Sequence, residues 1–282
     1  MGKPELSDAG LTATRATQVM DERGDIREVH LTGERPLTLF VDKREVVTLM
    51  TLGGHPEWLT LGYLRNQGFI QHLAEIESVH VDWEVDAVAV KTRGGIGDWD
   101  AKLATRTVTT GCGQGTVFGR LMDHIDGLRV TPPKLSQARL YGLLEGLSGE
   151  NTVYKQAGAV HACALCADER VLCFVEDVGR HNAVDAIAGR MWLEGISGHD
   201  KLFYTTGRLT SEMVIKVAQM GIPVLLSRSG VTQMGLDIAR STGVTLIARA
   251  KGRHFLVYHG AEHLELDAVP ADRSGARAKA AT

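Results

Sequence analysis

The sequence predicts an α/β protein whose C-terminal half contains a helix-covered sheet. Short β-branched and apolar runs alternate with segments whose apolar residues recur every three or four positions, most regularly after residue 133. The chain has 282 residues, 44% hydrophobic and 23% charged, a balance typical of a globular protein. Aromatic residues make up only 5%, so we expect a core built mainly from Val, Leu, Ile, Ala and Met.

The first half of the chain predicts a smaller α+β lobe. Its predicted elements, in order, are strands at 38–41 and 45–50, a helix at 56–66, a hairpin at 76–83 and 85–91, and a strand at 106–110. Pro56 favours a helix start, because proline fits the first helical turn. The segment Thr131-Pro132-Pro133 is rigid and predicts the boundary between the two lobes.

The second half predicts alternating strands and helices. In order, these are a helix at 134–147, a buried strand at 171–175, a helix with apolar residues at 184, 187, 188 and 191, a strand at 202–205, a helix at 210–220, a strand at 222–226, a helix at 232–241, and strands at 244–248 and 255–258. The predicted organisation is a flexible tail at 1–22, an N-terminal lobe at 23–131, a C-terminal lobe at 132–268 and a flexible tail at 269–282.

Charge and hydropathy exclude several classes of protein. The formal net charge is −3 and no long basic run occurs, which argues against a nucleic-acid-binding protein. No stretch approaches the roughly 20 apolar residues of a membrane helix, and the first 20 residues lack a signal-peptide pattern. We therefore expect a cytoplasmic protein without a membrane partner, in which the four cysteines are not disulfide-bonded.

The first candidate site is Cys112, which lies among three glycines in the segment 109–116. Glycine permits tight turns and close approach of another molecule, so a thiol there is expected to be accessible and reactive. A tight turn that happens to contain a small residue explains the pattern equally well.

Arginine-bearing turns form the second candidate site. Residues 176–185 and 204–212 each predict a strand leading through Gly-Arg into a helix, a common place for ligands in α/β proteins. Arg228 follows another strand, and residues 249–254 contain three cations and a histidine. Capped helices and solvated loops are the ordinary alternatives, but four such turns in one lobe favour a phosphate-rich ligand. Asp177, His181 and Asp185 would share one face if all three were helical.

The spacing of Cys163 and Cys166 suits zinc or a redox pair. Their neighbours are apolar and no second pair follows, so buried structural cysteines are the favoured interpretation. The zinc deaminase signature is absent, and no zinc is expected.

Several segments together resemble the FdhD family of sulfur carrier proteins. They are residues 110–113 (Thr-Gly-Cys-Gly), 160–162 (Val-His-Ala), 176–185 (Glu-Asp-Val-Gly-Arg-His-Asn-Ala-Val-Asp), 207–213 (Gly-Arg-Leu-Thr-Ser-Glu-Met), 222–224 (Ile-Pro-Val) and 227–229 (Ser-Arg-Ser). The resemblance covers roughly residues 25–260.

The resemblance implies a cytidine-deaminase-like mixed sheet without its zinc site, in a cytoplasmic homodimer. It implies transfer of persulfide sulfur from a cysteine desulfurase to the molybdenum (or tungsten) bis-molybdopterin guanine dinucleotide cofactor, for formate dehydrogenase, with GDP as a partial mimic of that cofactor. Cys112 is then the catalytic carrier. The expected cofactor-binding residues are Arg249, Ala250, Lys251, Gly252, Arg253 and His254, with Gly179, Arg180, His181, Gly207, Arg208 and Arg228.

The sequence departs from the family at one position. The family loop commonly has a second cysteine where this chain has Gly115. A single-thiol carrier is still possible, because persulfide exchange needs only one attacking thiolate. The missing cysteine also favours an alternative function, a cofactor-binding chaperone that transfers no sulfur. A third candidate function is a zinc or thiol-redox enzyme that uses Cys163 and Cys166.

Overall fold

The structure, a computed structural model, describes residues 2–95 and 125–270 and contains two main sheets. The strands are β1 (Glu5–Leu6), β2 (Thr14–Met20), β3 (Ile26–Thr32), β4 (Arg35–Val41), β5 (Arg44–Thr51), β6 (Ile76–Asp82), β7 (Ala87–Thr92), β8 (Leu135–Ser136), β9 (His161–Ala167), β10 (Arg170–Asp177), β11 (Leu202–Thr205), β12 (Val224–Ser227), β13 (Thr245–Lys251), β14 (His254–His259) and β15 (Leu264–Glu265). The helices are α1 (Pro56–Asn66), α2 (Gln137–Glu150), α3 (Thr152–Ala157), α4 (Arg180–Glu194), α5 (Ser211–Gln219) and α6 (Gln233–Thr242).

The first sheet has the order β1-β6-β7-β4-β5 and is mixed. The predicted hairpin is confirmed, because β6 pairs with β7 in antiparallel orientation. The two strands predicted before it are β4 and β5, which also pair antiparallel, and β7 runs parallel to β4. Helix α1 has the predicted bounds, with Pro56 in its first turn.

The second sheet has the order β10-β9-β11-β12-β13-β14. The pairs β11–β12 and β12–β13 are parallel, and the outer pairs are antiparallel. Apolar side chains of β9, β11, β12 and β13 alternate between a core shared with α4, α5 and α6 and a second core shared with α2. The predicted α/β class is confirmed, whereas the cytidine-deaminase-like detail stays a prediction.

Helices α1 and α4 join the two sheets by crossing at a pair of glycines. A Cβ atom at Gly62 would lie 1.7 Å from the carbonyl oxygen of Asp185, and one at Gly189 would lie 1.9 Å from that of Trp58. Only glycine allows the two backbones to approach so closely. One hydrophobic core therefore includes residues of both sheets, and the predicted lobe boundary at residue 131 stays a prediction.

Residues 2–22, predicted as part of a flexible N-terminal tail, contain two strands, and their flexibility stays a prediction. Strand β1 pairs with β6, and β2 pairs with β3 in a separate hairpin. The Glu57 carboxylate accepts hydrogen bonds from the Ser7 hydroxyl and the Ala9 amide, and the Trp83 indole donates to the Ala9 carbonyl. These hydrogen bonds join residues that are far apart in sequence, so a local sequence pattern does not predict them.

Two further predictions need correction. The helix predicted at 134–147 begins three residues later, because Leu135 and Ser136 form β8 and the Ser136 hydroxyl caps the helix by accepting from the Arg139 amide. The strand predicted at 171–175 as buried is β10, an edge strand of the described sheet in which buried and half-buried residues alternate. Within the described residues, no helix has the length and apolar character needed to span a membrane.

Candidate functional site

The carboxyl ends of β10, β11, β12 and β13 lie at one edge of the second sheet. Asp177 at the end of β10 is opposite His161 at the start of β9, and Thr205 at the end of β11 is opposite Ser227 at the end of β12. All four predicted arginine-bearing turns follow these strands. This is the edge at which open α/β sheets usually bind ligands.

A cationic cavity of about 740 Å³ lies between α2 and this edge. One wall is formed by Arg228 and the turn between β13 and β14, which contributes Ala250, Lys251, Gly252 and Arg253. Sequence reasoning placed all five of these residues in the cofactor site, and the structure brings them together around one volume.

Aromatic rings hold two of the guanidinium groups. Arg253 lies over the ring of Tyr141 at 5.2 Å, and Arg228 lies over that of Tyr154 at 5.5 Å. Both arginines are exposed, so these cation–π contacts orient the side chains without removing their charge from solvent.

Two predicted residues of the basic stretch lie apart from the lining of this cavity. Arg249 has a backbone φ of +54°, and the β13–β14 register shifts between Ala248 and Lys251. The guanidinium of Arg249 lies beside Gly230, where an added Cβ would be 3.4 Å from Nη2. His254 pairs with Lys251 across the hairpin. A positive φ is unusual for a non-glycine residue, and here it occurs within the register shift of the hairpin.

The remaining predicted residues lie at the start of α4 and in the turn that follows β11. The Arg180 side chain packs on Gly207, where an added Cβ would be 2.9 Å from Arg180 Cδ, so only glycine fits beneath it. Burial, together with the charges of Arg180 and Arg208, lowers the pKa of His161.

His181 lies in a second, smaller cavity of about 270 Å³, which Gly179, Asn182 and Lys216 also line. Burial and the charge of Lys216 lower the pKa of His181 to about 3, so the imidazole is neutral at physiological pH. Its Nε2 is 3.3 Å from a Glu212 oxygen, but within the described residues neither ring nitrogen has hydrogen-bond geometry. Of the predicted cofactor residues, Gly179 and His181 therefore line this smaller cavity rather than the cationic one.

Beneath His181 lies a cluster of buried charges. Lys216 is fully buried; its Nζ is 2.8 Å from an Asp185 oxygen and 3.5 Å from a Glu212 oxygen. Burial alone would lower the pKa of Lys216, but the two carboxylates outweigh burial and raise it. Asn66 of α1 donates to the other oxygen of Asp185 at 2.7 Å.

Asp177 lies outside α4 and connects the sheets. Its carboxylate accepts from the Thr51 hydroxyl at 2.6 Å and the Leu52 amide at 3.1 Å, at the end of β5 in the first sheet. It also accepts from the Gly179 amide and the Asn182 side chain, at the start of α4. The helix begins only at Arg180, so the conditional prediction of one helical face holds for His181 and Asp185 alone.

Cys163 and Cys166 do not form a metal or redox pair. Both lie in β9, and Cys163 belongs to the core beside α4 whereas Cys166 belongs to the core beside α2. Burial raises the pKa of each thiol to about 12. This agrees with buried structural cysteines and argues against the zinc or thiol-redox enzyme. Cys112 and Gly115 lie outside the described residues.

Sequence reasoning missed three residues in these sites. It overlooked the cavity-lining Tyr141 and Glu145, because α2 is distant in sequence from the basic turns. It also overlooked Lys216, although a lysine four residues after Glu212 in an otherwise apolar helix was a usable signal.

Comparison with known proteins identifies the family. The FdhD/NarQ family matches residues 32–265. The sulfur carrier protein FdhD of Bacillus subtilis is 31% identical over 252 residues, which cover 86% of this chain and 94% of that protein. Its counterpart in Listeria innocua is 29% identical over 249 residues, covering 86% and 95%.

A solved structure agrees with this assignment. The crystal structure of a putative formate dehydrogenase accessory protein from Desulfotalea psychrophila superposes with a TM-score of 0.71 at 26% identity, covering 89% of this chain and 98% of that one. The sequence match spans both sheets and the turns that line the two cavities. The chain therefore belongs to the FdhD/NarQ family.

Proposed function

We propose that this protein is a cytoplasmic, homodimeric sulfur carrier that serves formate dehydrogenase. It takes persulfide sulfur from a cysteine desulfurase onto Cys112 and passes it to the molybdenum (or tungsten) bis-molybdopterin guanine dinucleotide, its substrate. The names of the relatives support the general role: sulfur carrier protein in two of them and formate dehydrogenase accessory protein in the third.

The observation on which this proposal rests is the cationic cavity. Arg228, Lys251 and Arg253 place three exposed cations around about 740 Å³. Forked guanidinium donors match phosphate oxygens, so this donor set suits the diphosphate of a guanine dinucleotide. The volume is within the range of natural ligand sites.

Sulfur loading is a thiol exchange. The Cys112 thiolate attacks the outer sulfur of the desulfurase persulfide, the S–S bond of the donor breaks, and the donor cysteine leaves as a thiolate. The outer sulfur stays on Cys112 as a new persulfide. This step needs one thiol and no added oxidant.

Delivery of sulfide requires two electrons, which cellular thiols supply. One thiolate attacks Sγ of Cys112, releases the outer sulfur as hydrosulfide for the metal, and forms a mixed disulfide. A second thiol regenerates Cys112 and leaves the two reductant thiols joined by a disulfide. The route needs no second loop cysteine, in keeping with Gly115.

Intact mass after incubation with cysteine and a cysteine desulfurase tests the carrier step. We expect one added sulfur that a reductant removes, retained in Cys163→Ser and lost in Cys112→Ser. Cys163 is a matched control because its buried thiol has a pKa of about 12. A full adduct in Cys112→Ser would overturn the assignment.

The chaperone alternative is favoured by one observation, the glycine at position 115. The two functions differ in the behaviour of Cys112→Ser. A sulfur carrier would still bind the cofactor but leave formate dehydrogenase inactive, whereas a chaperone would still activate it. Bound cofactor and dehydrogenase activity measured in the same cells decide between them.

A further inference from the structure

Helix α2 contributes one carboxylate to the cationic cavity. Among the described residues that line this cavity, Glu145 is the only acidic one, and it faces a set of cations from the opposite wall. It is exposed and forms no ion pair with another described residue. A carboxylate repels phosphate, so its place in a phosphate-binding cavity requires a different explanation.

The position of Glu145 along α2 can be compared with that of Tyr141, which contacts a cation of the phosphate-binding wall. Glu145 lies four residues after Tyr141, which places both on one face of α2 about 6 Å apart along its axis. Arg253 is held over the Tyr141 ring. Glu145 therefore lies about one helical turn along α2 from the tyrosine that contacts Arg253.

The chemistry of the nucleobase supplies the explanation. Guanine presents two adjacent donors, N1–H and the exocyclic amino group, to which one carboxylate can accept in a bidentate manner. Adenine has an acceptor at N1 and offers no such pair. Tyr141 and Tyr204, both buried, also line this cavity.

We propose that Glu145 is the base-selecting residue of this cavity and accepts both guanine donors while the cations on the facing wall bind the diphosphate. The inference rests on the proposed function, because it assumes that the cavity binds a guanine nucleotide. It adds that α2 recognises the guanine base and that Glu145 determines the specificity for this base.

Dissociation constants of GDP, XDP and ADP, measured on the full chain by calorimetry, test the proposal. The wild type should prefer GDP. Glu145→Gln should bind GDP about ten-fold to a hundred-fold more weakly, because one charge-assisted pair is lost. The same variant should gain affinity for XDP, since an amide can donate to the xanthine O2 and accept from N1–H. Glu150→Gln is the control, as Glu150 is exposed on the same helix outside the cavity lining.

The outcomes separate the inference from the proposed function. If GDP binds the wild type and Arg253→Ala weakens it, but Glu145→Gln leaves the nucleotide preference unchanged, base selection by Glu145 is overturned and phosphate binding stands. If the wild type binds none of the three nucleotides, the cofactor site itself is overturned. A reversed preference between GDP and XDP in folded Glu145→Gln would support the inference, since a general loss of stability cannot improve XDP binding.

Discussion

The two faces of the second sheet each have a lysine, and these two lysines differ in burial and in the partners of their charge. Lys216, among α4 and α5, is buried and contacts two carboxylates, whereas Lys251, facing α2, is exposed at the rim of a cavity. A buried charge needs close partners because removal from water is costly, and once paired it is unavailable to a ligand. An exposed charge keeps its hydration and can exchange it for phosphate oxygens. The first arrangement fixes the structure and the second leaves charge for binding.

The largest effect is expected on replacing the buried cation. Lys216→Met leaves Asp185 and Glu212 without their counter-charge, so we expect a loss of about 3–5 kcal/mol in the free energy of unfolding. Urea unfolding at pH 7 measures it.

The matched control is Lys91→Met. The Lys91–Glu77 ion pair has the same 2.8 Å separation as Lys216–Asp185, but its side chains are 64% and 40% exposed. We expect a change of about 0–1 kcal/mol there. Equal losses in the two variants would show that burial is not what distinguishes these pairs.

On the exposed face, the expected effect concerns affinity rather than stability. Lys251→Ala and Arg253→Ala should each weaken GDP binding about ten-fold to a hundred-fold, because each removes one charge-assisted contact. The midpoint of urea unfolding should hardly change, since both residues are exposed.

Ionic strength should affect the exposed cations and the buried Lys216 differently. Affinity for GDP should fall between low and physiological ionic strength, where the screening length is about 8–10 Å, while the loss caused by Lys216→Met should persist. Binding of unphosphorylated guanosine as tight as that of GDP would contradict a phosphate site.

The last expected effect is a pH dependence of the free energy of unfolding. His181 has a pKa of about 3 in the folded protein, against 6.5 for an unperturbed histidine. Between these values only the unfolded chain binds the proton, so the stability contributed by neutral His181 is complete above pH 6.5 and declines as pH falls towards 3. The maximum slope is about 1.4 kcal/mol per pH unit.

His181→Gln isolates this slope. Asp177 and Asp185 have raised pKa values and contribute with the opposite sign, but they are present in both proteins. The wild type should therefore lose more stability than the variant between pH 6.5 and 5 in urea unfolding. Parallel stability curves would show that His181 is protonated alike in both states.

Local patterns predicted the regular elements well. The bounds of α1 and β11 agree with the sequence prediction, because proline, apolar spacing and a short apolar run each mark a boundary within a few residues. Strand β9 was not predicted, because its sequence His-Ala-Cys-Ala-Leu-Cys-Ala has no β-branched residue, and its neighbours β10 and β11 stabilise it instead.

Within the candidate site as well, some residues could be predicted from the sequence and others could not. The basic turn 250–253 could be predicted because its charges are contiguous in the chain. The contribution of Glu145 could not, since it depends on α2 packing opposite that turn, more than 100 residues later. The left-handed backbone of Arg249 separates it from neighbours that a linear pattern groups with it.

The glycine pair between α1 and α4 has a consequence for dissecting the chain. Gly62 and Gly189 bring the backbones of α1 and α4 into contact. A fragment that contains only one of these two helices would therefore expose the backbone surface that the other helix covers. Separately produced halves should aggregate or remain unstructured, and recover their structure only when mixed. In an alignment of functional variants, these two positions should tolerate almost no substitution.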